Sequence, residues 1–173
     1  EVKGKRLGIF GYGSIGKRVA EIGAALGMRV IVCTRTRRPG CPFPYVDKET
    51  LFSQSDFLSL HCPQTPETQG LIDARALAKM KRTAILINTA RGGLIDESAL
   101  AAALNENRIA GAYLDVVSEE PVRADNPLLK AKNCRLTPHV AWQPLETRLR
   151  LHKRVEEHLA AFLSGSPRDV VGV

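Results

Sequence analysis

The apolar residues of this chain gather into short unbroken runs, each closed by a polar, glycine or proline joint. Leu7-Gly8-Ile9-Phe10, Val30-Ile31-Val32-Cys33, Phe57-Leu58-Ser59-Leu60, Ala84-Ile85-Leu86-Ile87 and Ala110-Gly111-Ala112-Tyr113-Leu114 are the clearest. Their length and lack of alternation fit strands buried on both faces, as in a parallel sheet covered by helices. They predict strands over residues 6–10, 29–34, 57–60, 84–88 and 110–114, with a last short one near 134–136. Ile15, Val19, Ile22 and Leu26 recur at helical intervals and predict a helix over 15–27. Shorter helices are expected at 47–53, at 74–80 behind Asp73 as N-cap, and from about 97 to 105. A final helix begins around Pro144 and carries Leu145, Leu149, Val155, Leu159 and Phe162 on one stripe, which must cover something. Pro39, Gly40, Pro42 and Pro44 make residues 36–44 an irregular loop.

Strands alternating with helices define an α/β chain built from parallel βαβ units. Residues 1–143 are expected to form one such domain, followed by a helical tail over 144–173. Four of the strands end in polar residues: Thr34, His61, Thr89 with Arg91, and Asp115. In an open parallel sheet that rim is where ligands bind.

Gly11, Gly13 and Gly16 follow the first strand in G-x-G-x-x-G spacing and open the first helix. In a dinucleotide site Gly11 allows the tight turn, Gly13 lets a pyrophosphate approach the backbone, and Gly16 lets helix and strand pack closely. The helix N-terminus offers the phosphate free N–H groups and a positive dipole end. The spacing alone is weak, and a merely structural turn is the alternative; the strand before it and the amphipathic helix after it are the confirming context. The whole pattern is that of a Rossmann-like doubly wound parallel sheet in three layers, α/β/α.

A hydrophobic content of 44% over 173 residues suffices for one core, and an aromatic content of only 5% suits parallel strands under helices. No window approaches the length of a membrane span and no charged-then-apolar leader opens the chain, so a soluble cytoplasmic protein with no membrane partner is expected. Cys33, Cys41, Cys62 and Cys134 are scattered without metal-ligand spacing and read as free thiols, with no metal expected and a packing role for Cys33 and Cys62. A net charge of +7 raises nucleic-acid binding as a class. The cations of residues 1–39 centre on the glycine turn, however, and no helix-turn-helix, zinc-finger or aromatic stacking pattern accompanies them. A phosphate-bearing small molecule accounts for the cluster, with a solvated surface as the alternative, and no nucleic-acid partner is expected.

Taken in order, the motifs resemble the cofactor-binding part of the D-isomer-specific 2-hydroxyacid dehydrogenases. The matching pieces are Gly11-Tyr12-Gly13-Ser14-Ile15-Gly16, Leu60-His61-Cys62-Pro63 with Thr65-Pro66-Glu67-Thr68, Ile87-Asn88-Thr89-Ala90-Arg91-Gly92, Leu114-Asp115-Val116, Glu120-Pro121 and Thr137-Pro138-His139. They cover nearly the whole chain. Pro138-His139-Val140-Ala141-Trp142 and Asp125-Asn126-Pro127-Leu128-Leu129 look closest to the glycerate dehydrogenase, or hydroxypyruvate reductase, branch.

The resemblance implies reversible hydride transfer between a nicotinamide and a small 2-keto or 2-hydroxy acid of the hydroxypyruvate or glyoxylate type. It makes Arg91 the partner of the substrate carboxylate, which a planar guanidinium suits. It makes His139 the acid/base and Glu120 the carboxylate that hydrogen-bonds it, raising the imidazole pKa so that it stays protonated for ketone reduction. The alternative for Arg91 is a surface arginine capping a helix or a phosphate, and on residue type alone His139 is equally a satisfied strand-end histidine. Asp115 matches a residue that holds the nicotinamide carboxamide. The resemblance also lays Ser14, Ile15, His61, Cys62, Pro63, Thr68, Thr89, Ala90, Arg91, His139 and Ala141 along the cofactor groove beside Gly11, Gly13 and Gly16, and it implies a homodimer. Trp142 stays open between a substrate contact, a partner contact and the core.

Two departures matter. NAD-binding proteins carry Asp or Glu about 20 residues beyond the glycine motif to hold the ribose 2′-OH. Here that position is Thr34, followed by Arg35, Arg37 and Arg38. A carboxylate would repel the 2′-phosphate of NADP, whereas Thr34 with Arg35, Arg37 and Arg38 offers it donors and positive charge; NADP(H) is the expected cofactor and NAD(H) the alternative. The second departure is at the start, where Glu1-Val2-Lys3-Gly4 opens the chain without the family's substrate-binding part. Such an excised domain is expected to bind a dinucleotide yet turn over slowly or not at all, because positioning and water exclusion depend on closure between two domains. A non-catalytic dinucleotide-binding module, similar to the family's nucleotide-sensing corepressors, is the alternative to an enzyme.

Overall fold

The computed structural model describes residues 1–171. The chain divides into two compact units, Glu1–Pro138 and His139–Val173, so the boundary expected after residue 143 falls inside the second.

The first unit is built on a six-stranded parallel sheet: β1 Arg6–Phe10, β2 Arg29–Cys33, β3 Phe57–Leu60, β4 Ile85–Asn88, β5 Gly111–Leu114 and β6 Cys134–Leu136. Helices α1 Ser14–Ala25, α2 Lys48–Gln54, α3 Ala74–Lys79 and α4 Glu97–Asn105 lie between them in sequence. The spatial order is β2-β1-β3-β4-β5-β6. The chain therefore winds outward from β1 to β2, then crosses to the other side of β1 and continues. That reversal puts a crevice at the C-terminal ends of β1 and β3, the switch point where open sheets of this kind take ligands.

β1 shows why the runs lack alternation. Leu7 and Ile9 pack with Ala20, Val30 and Val32 on one face, while Phe10 packs with Leu51, Phe52, Leu58 and Leu60 on the other. The Phe10 and Phe52 rings stack with centroids 6.4 Å apart. Both faces are buried, so both sets of side chains are apolar.

α1 corrects the sequence reading. Its buried face is Gly16, Ala20 and Gly23, whereas Ile15, Ile22 and Leu26 are exposed. A Cβ on Gly23 would overlap the Leu7 side chain. The helix lies so close to β1 that small residues line its inner face; of the expected apolar stripe Val19 packs at the core's margin, while Ile15, Ile22 and Leu26 are turned outward.

α2, α3 and α4 each start at an aspartate, Asp47, Asp73 and Asp96, whose side chain accepts from the amide of Thr50, Ala76 or Ala99. Such caps satisfy amides that the first helical turn leaves without partners. The expected cap at Asp73 is among them. Two short 3-10 turns, Gly92–Leu94 and Pro127–Lys130, lie in segments where no element was expected.

The second unit carries α5, Leu145–Leu163, which has no buried residue; Leu149, Val155, Leu159 and Phe162 of the expected stripe are exposed. Downstream, the Asp169 carboxylate meets Arg154 Nη2 at 2.9 Å and His158 Nε2 at 3.0 Å. Among the described residues no helix is long and apolar enough to cross a membrane, and no group of His, Cys, Asp or Glu gathers to hold a metal.

Candidate functional site

The glycine turn joins β1 to α1 at the switch point. Gly11 has φ +95°, and a Cβ there would stand 2.7 Å from the His61 backbone on β3's end. A Cβ on Gly16 would overlap the Gly11 carbonyl oxygen. Gly13 differs: at its Cβ position there is open space, with nothing within 4 Å. Gly11 and Gly16 thus serve the turn's own packing, and Gly13 leaves room for something outside the chain. α1 has no side-chain cap at Gly13 and no acidic residue in its first turn. These features fit a pyrophosphate, which would cap the helix in place of a side chain.

A cavity of about 640 Å³ opens beside the turn. It is lined by Gly11 and Gly13, by Thr34, Arg35, Thr36 and Arg38 after β2, by Asp47 and Lys48 at the start of α2, and by His61 to Pro63 with Thr65, Glu67 and Thr68 after β3. Buried Cys33 and Cys62 also line it, and burial pushes both thiols up. The volume lies within the range for a small-molecule site. Thr68 holds the loop after β3 together, since its hydroxyl donates to the Pro63 carbonyl at 2.8 Å and accepts from the Thr65 amide at 2.7 Å.

The arginines do not distribute as the sequence suggested. Arg35 and Arg38 line the cavity, but Arg37 lies over the Tyr45 ring, 5.4 Å from its centroid. Asp47 is committed to capping α2, both of its oxygens engaging Thr50. The Thr65 hydroxyl holds the Glu67 carboxyl below the usual range, and the nearby Arg35 adds a smaller attraction.

His61 stands between this cavity and a second of about 310 Å³, lined by Ile15, His61, Cys62, Pro63, Gln64, Thr89, Ala90 and Arg91. Its Nε2 lies 2.9 Å from the buried Ser59 hydroxyl, and burial pushes its pKa down to about 4. The imidazole is therefore neutral near pH 7. Exposed Ile15 thus belongs to the wall of a site and not to the core.

Arg91 sits on the loop after β4. Asn88, fully buried, organises that loop: its amide nitrogen donates to the Arg91 carbonyl and its oxygen accepts from the Ala90 amide. Arg91 Nη1 donates to the Ala90 carbonyl at 2.6 Å. A Cβ on Gly92 would overlap the Val117 carbonyl, so this loop rests directly on the one after β5. Asp115, buried at the end of β5, accepts from the Thr137 hydroxyl. Glu120 lies farther along, where its Oε1 accepts from the Val117 amide at 3.2 Å, before a cis peptide to Pro121. Glu97 at the start of α4 ties this loop down, accepting from Ser118 N at 2.6 Å and Asn126 Nδ2 at 2.8 Å.

His139 and Ala141 belong to the second unit. His139 has φ +56°, and its carbonyl accepts from the Trp142 indole at 2.8 Å. Within the first unit the structure brings together Gly11, Gly13, Thr34, Arg35, His61, Cys62, Pro63 and Thr68 around one cavity and Ile15, Thr89, Ala90 and Arg91 around the next. Sequence reasoning named Arg38 among the arginines after Thr34 without singling it out as a site residue, and it missed Lys48 as a lining group, Gln64 in the second cavity, and Asn88 and Glu97 as supports. Arg38 carried a signal, standing in the same cationic run as Arg35.

Fold and site define a dinucleotide-binding α/β domain. With residues 1–141 matched by the family described as D-isomer specific 2-hydroxyacid dehydrogenase, NAD binding domain, the chain belongs to that family. It is 47% identical over 174 residues to the hydroxypyruvate reductase of Blautia hydrogenotrophica, a match taking in 99% of this chain and 54% of that protein. It is 46% identical over 173 residues to the glycerate dehydrogenase of Methylorubrum extorquens, with 99% and 54% covered. The solved structure of an acyclic imino acid reductase in complex with NADPH and D-Arg is similar with a TM-score of 0.92 at 38% identity, over 99% of this chain and 55% of that one. The chain spans about half the length of the curated relatives it matches.

Proposed function

We propose that the protein is a nicotinamide-dependent reductase of short 2-keto acids, of the hydroxypyruvate and glyoxylate type, reversible toward the D-2-hydroxy acids. The observation that carries this reading is the adjacency of the two cavities, which share His61, Cys62 and Pro63 in their walls. A dinucleotide with its pyrophosphate at Gly13 and its adenosine in the larger cavity extends its other half toward Arg91. The names of the hydroxypyruvate reductase and glycerate dehydrogenase relatives support the substrate class.

In this reading the bound cofactor supplies or accepts a hydride at the substrate's second carbon. Arg91 grips the carboxylate with paired N–H donors and so orients the adjacent carbonyl. His139 delivers a proton to the carbonyl oxygen as it becomes a hydroxyl, and takes it back in the reverse direction. Glu120 takes the role of the carboxylate partner of that imidazole. Asp115 accepts from the cofactor's carboxamide.

The reading takes NADP(H) as the preferred cofactor. Thr34, Arg35, Thr36, Arg38 and Lys48 line the larger cavity, while its two carboxylates are engaged elsewhere, Asp47 with Thr50 and Glu67 with Thr65. It takes the protein as a homodimer, supported by the outward Ile22 and Leu26 of α1, and as cytoplasmic, consistent with four free cysteines. Loss of nicotinamide absorbance on adding hydroxypyruvate or glyoxylate to the full-length protein tests the activity. No turnover of either acid with NADPH or NADH overturns it.

A further inference from the structure

Tyr45 does not line the cofactor cavity, yet the arginine loop after β2 is built around it. The loop returns beside β2, where the Val32 amide donates to the Pro44 carbonyl at 2.9 Å and the Val46 amide to the Val32 carbonyl at 2.9 Å. Tyr45 forms a parallel bridge with Val32 between these two bonds. From that anchored position its hydroxyl reaches back across the loop, with the Cys41 thiol beside it, to the backbone of Arg38. It accepts from the Arg38 amide at 2.9 Å and donates to the Arg38 carbonyl at 3.2 Å.

A phenol has one hydrogen to donate and lone pairs to accept, and here both capacities go to the peptide groups on either side of a single Cα. That fixes the backbone at Arg38 and so the direction in which its side chain leaves. The Tyr45 ring does the complementary task. The Arg37 guanidinium lies over its face, drawn by the ring's negative quadrupole, while Arg38 lines the cavity with Arg35. The ring also meets Tyr12 edge-on, with centroids 6.4 Å apart and planes at 88°. Tyr12 is buried between Gly11 and Gly13, so one side chain ties the arginine loop to the glycine turn.

We propose that Tyr45 is a positioning residue for cofactor selection: it holds Arg38 toward a phosphate on the adenosine ribose and keeps Arg37 out of the cavity. The inference rests on the proposed preference for NADP(H). It adds a residue that discriminates between the cofactors without touching either.

Calorimetric titration of the full protein and of Tyr45→Phe with NADPH and with NADH tests it. Phenylalanine keeps the ring beneath Arg37 and beside Tyr12 and removes only the hydroxyl. The expected result is about tenfold weaker NADPH binding, the scale of one or two lost hydrogen bonds, with NADH changed by less than about twofold. Equal weakening of both cofactors, or of neither, overturns the role given to Tyr45. A wild-type protein that binds NADH as tightly as NADPH overturns the cofactor reading itself and this inference with it. Should Tyr45→Phe fail to fold, amide exchange in the wild type decides: a protected Arg38 amide supports the clamp, and exchange as fast as in an open peptide overturns it.

Discussion

Asn88 holds the Arg91 loop from inside the protein: its Nδ2 donates to the Arg91 carbonyl at 2.9 Å and its Oδ1 accepts from the Ala90 amide at 3.0 Å. A fully buried amide thus sets the path of the exposed arginine proposed to bind substrate. Asn88→Ala removes both bonds and leaves the Ala90 amide unpaired, so urea unfolding should show a loss of about 2 kcal/mol. The kcat/KM for the 2-keto acid should fall by at least about tenfold, since small misplacements of a positioning group are costly.

Gly13 and Gly16 should separate binding from folding. Gly13→Ala places a methyl group in open space at an ordinary φ of −79° and should leave the melting temperature unchanged while weakening dinucleotide binding. Gly16→Ala overlaps the Gly11 carbonyl and should destabilise the fold by about 1–3 kcal/mol, the scale of overpacking in a closed site. Thermal unfolding and cofactor titration of both variants check the contrast.

Arg38→Ala and Arg37→Ala should differ although the residues are neighbours. Loss of a cavity-lining guanidinium should weaken NADPH binding by about ten- to a hundredfold, the scale of charge-assisted hydrogen bonds. Loss of the guanidinium that lies over Tyr45 should cost less than about threefold, in line with an exposed cation–π contact. Competition binding at fixed ionic strength measures both.

His61 should stay neutral across the physiological range, because burial lowers its pKa from 6.5 to about 4. The unfolded chain binds a proton between these values and the folded chain does not, so stability rises as pH increases from about 4 to 6.5 and is lost on acidification through that window. The contribution is on the order of 3 kcal/mol. Urea midpoints for wild type and His61→Gln across pH 4–7 should show a flatter profile in the variant, and the imidazole proton resonances of His61 should not move between pH 5.5 and 8.

The strands were legible because a doubly covered sheet makes its strands apolar on both faces, and the glycine motif was legible because its spacing reflects local backbone needs. The buried face of α1 was not. Periodicity marks large apolar residues, but the close approach of α1 to β1 selects Gly16, Ala20 and Gly23 instead. Arg37 and Arg38 look alike as neighbours, and only the fold brings Tyr45 back beside β2 to send them different ways. Glu97 and Asn126 are 29 positions apart, so the bond that steadies the loop bearing Glu120 has no local signature.

The return of residues 44–46 along β2 also bears on how the protein behaves at high concentration. The outer border of a sheet is a template for strand addition between molecules, and here the Val32 amide and carbonyl on that border are already occupied by the chain's own Pro44 and Val46. The same loop shields the sheet and carries the arginines proposed to select the cofactor. Rewriting it to exchange one nicotinamide for the other therefore risks uncovering that border, and variants designed for cofactor specificity should be screened for solubility as well as for affinity.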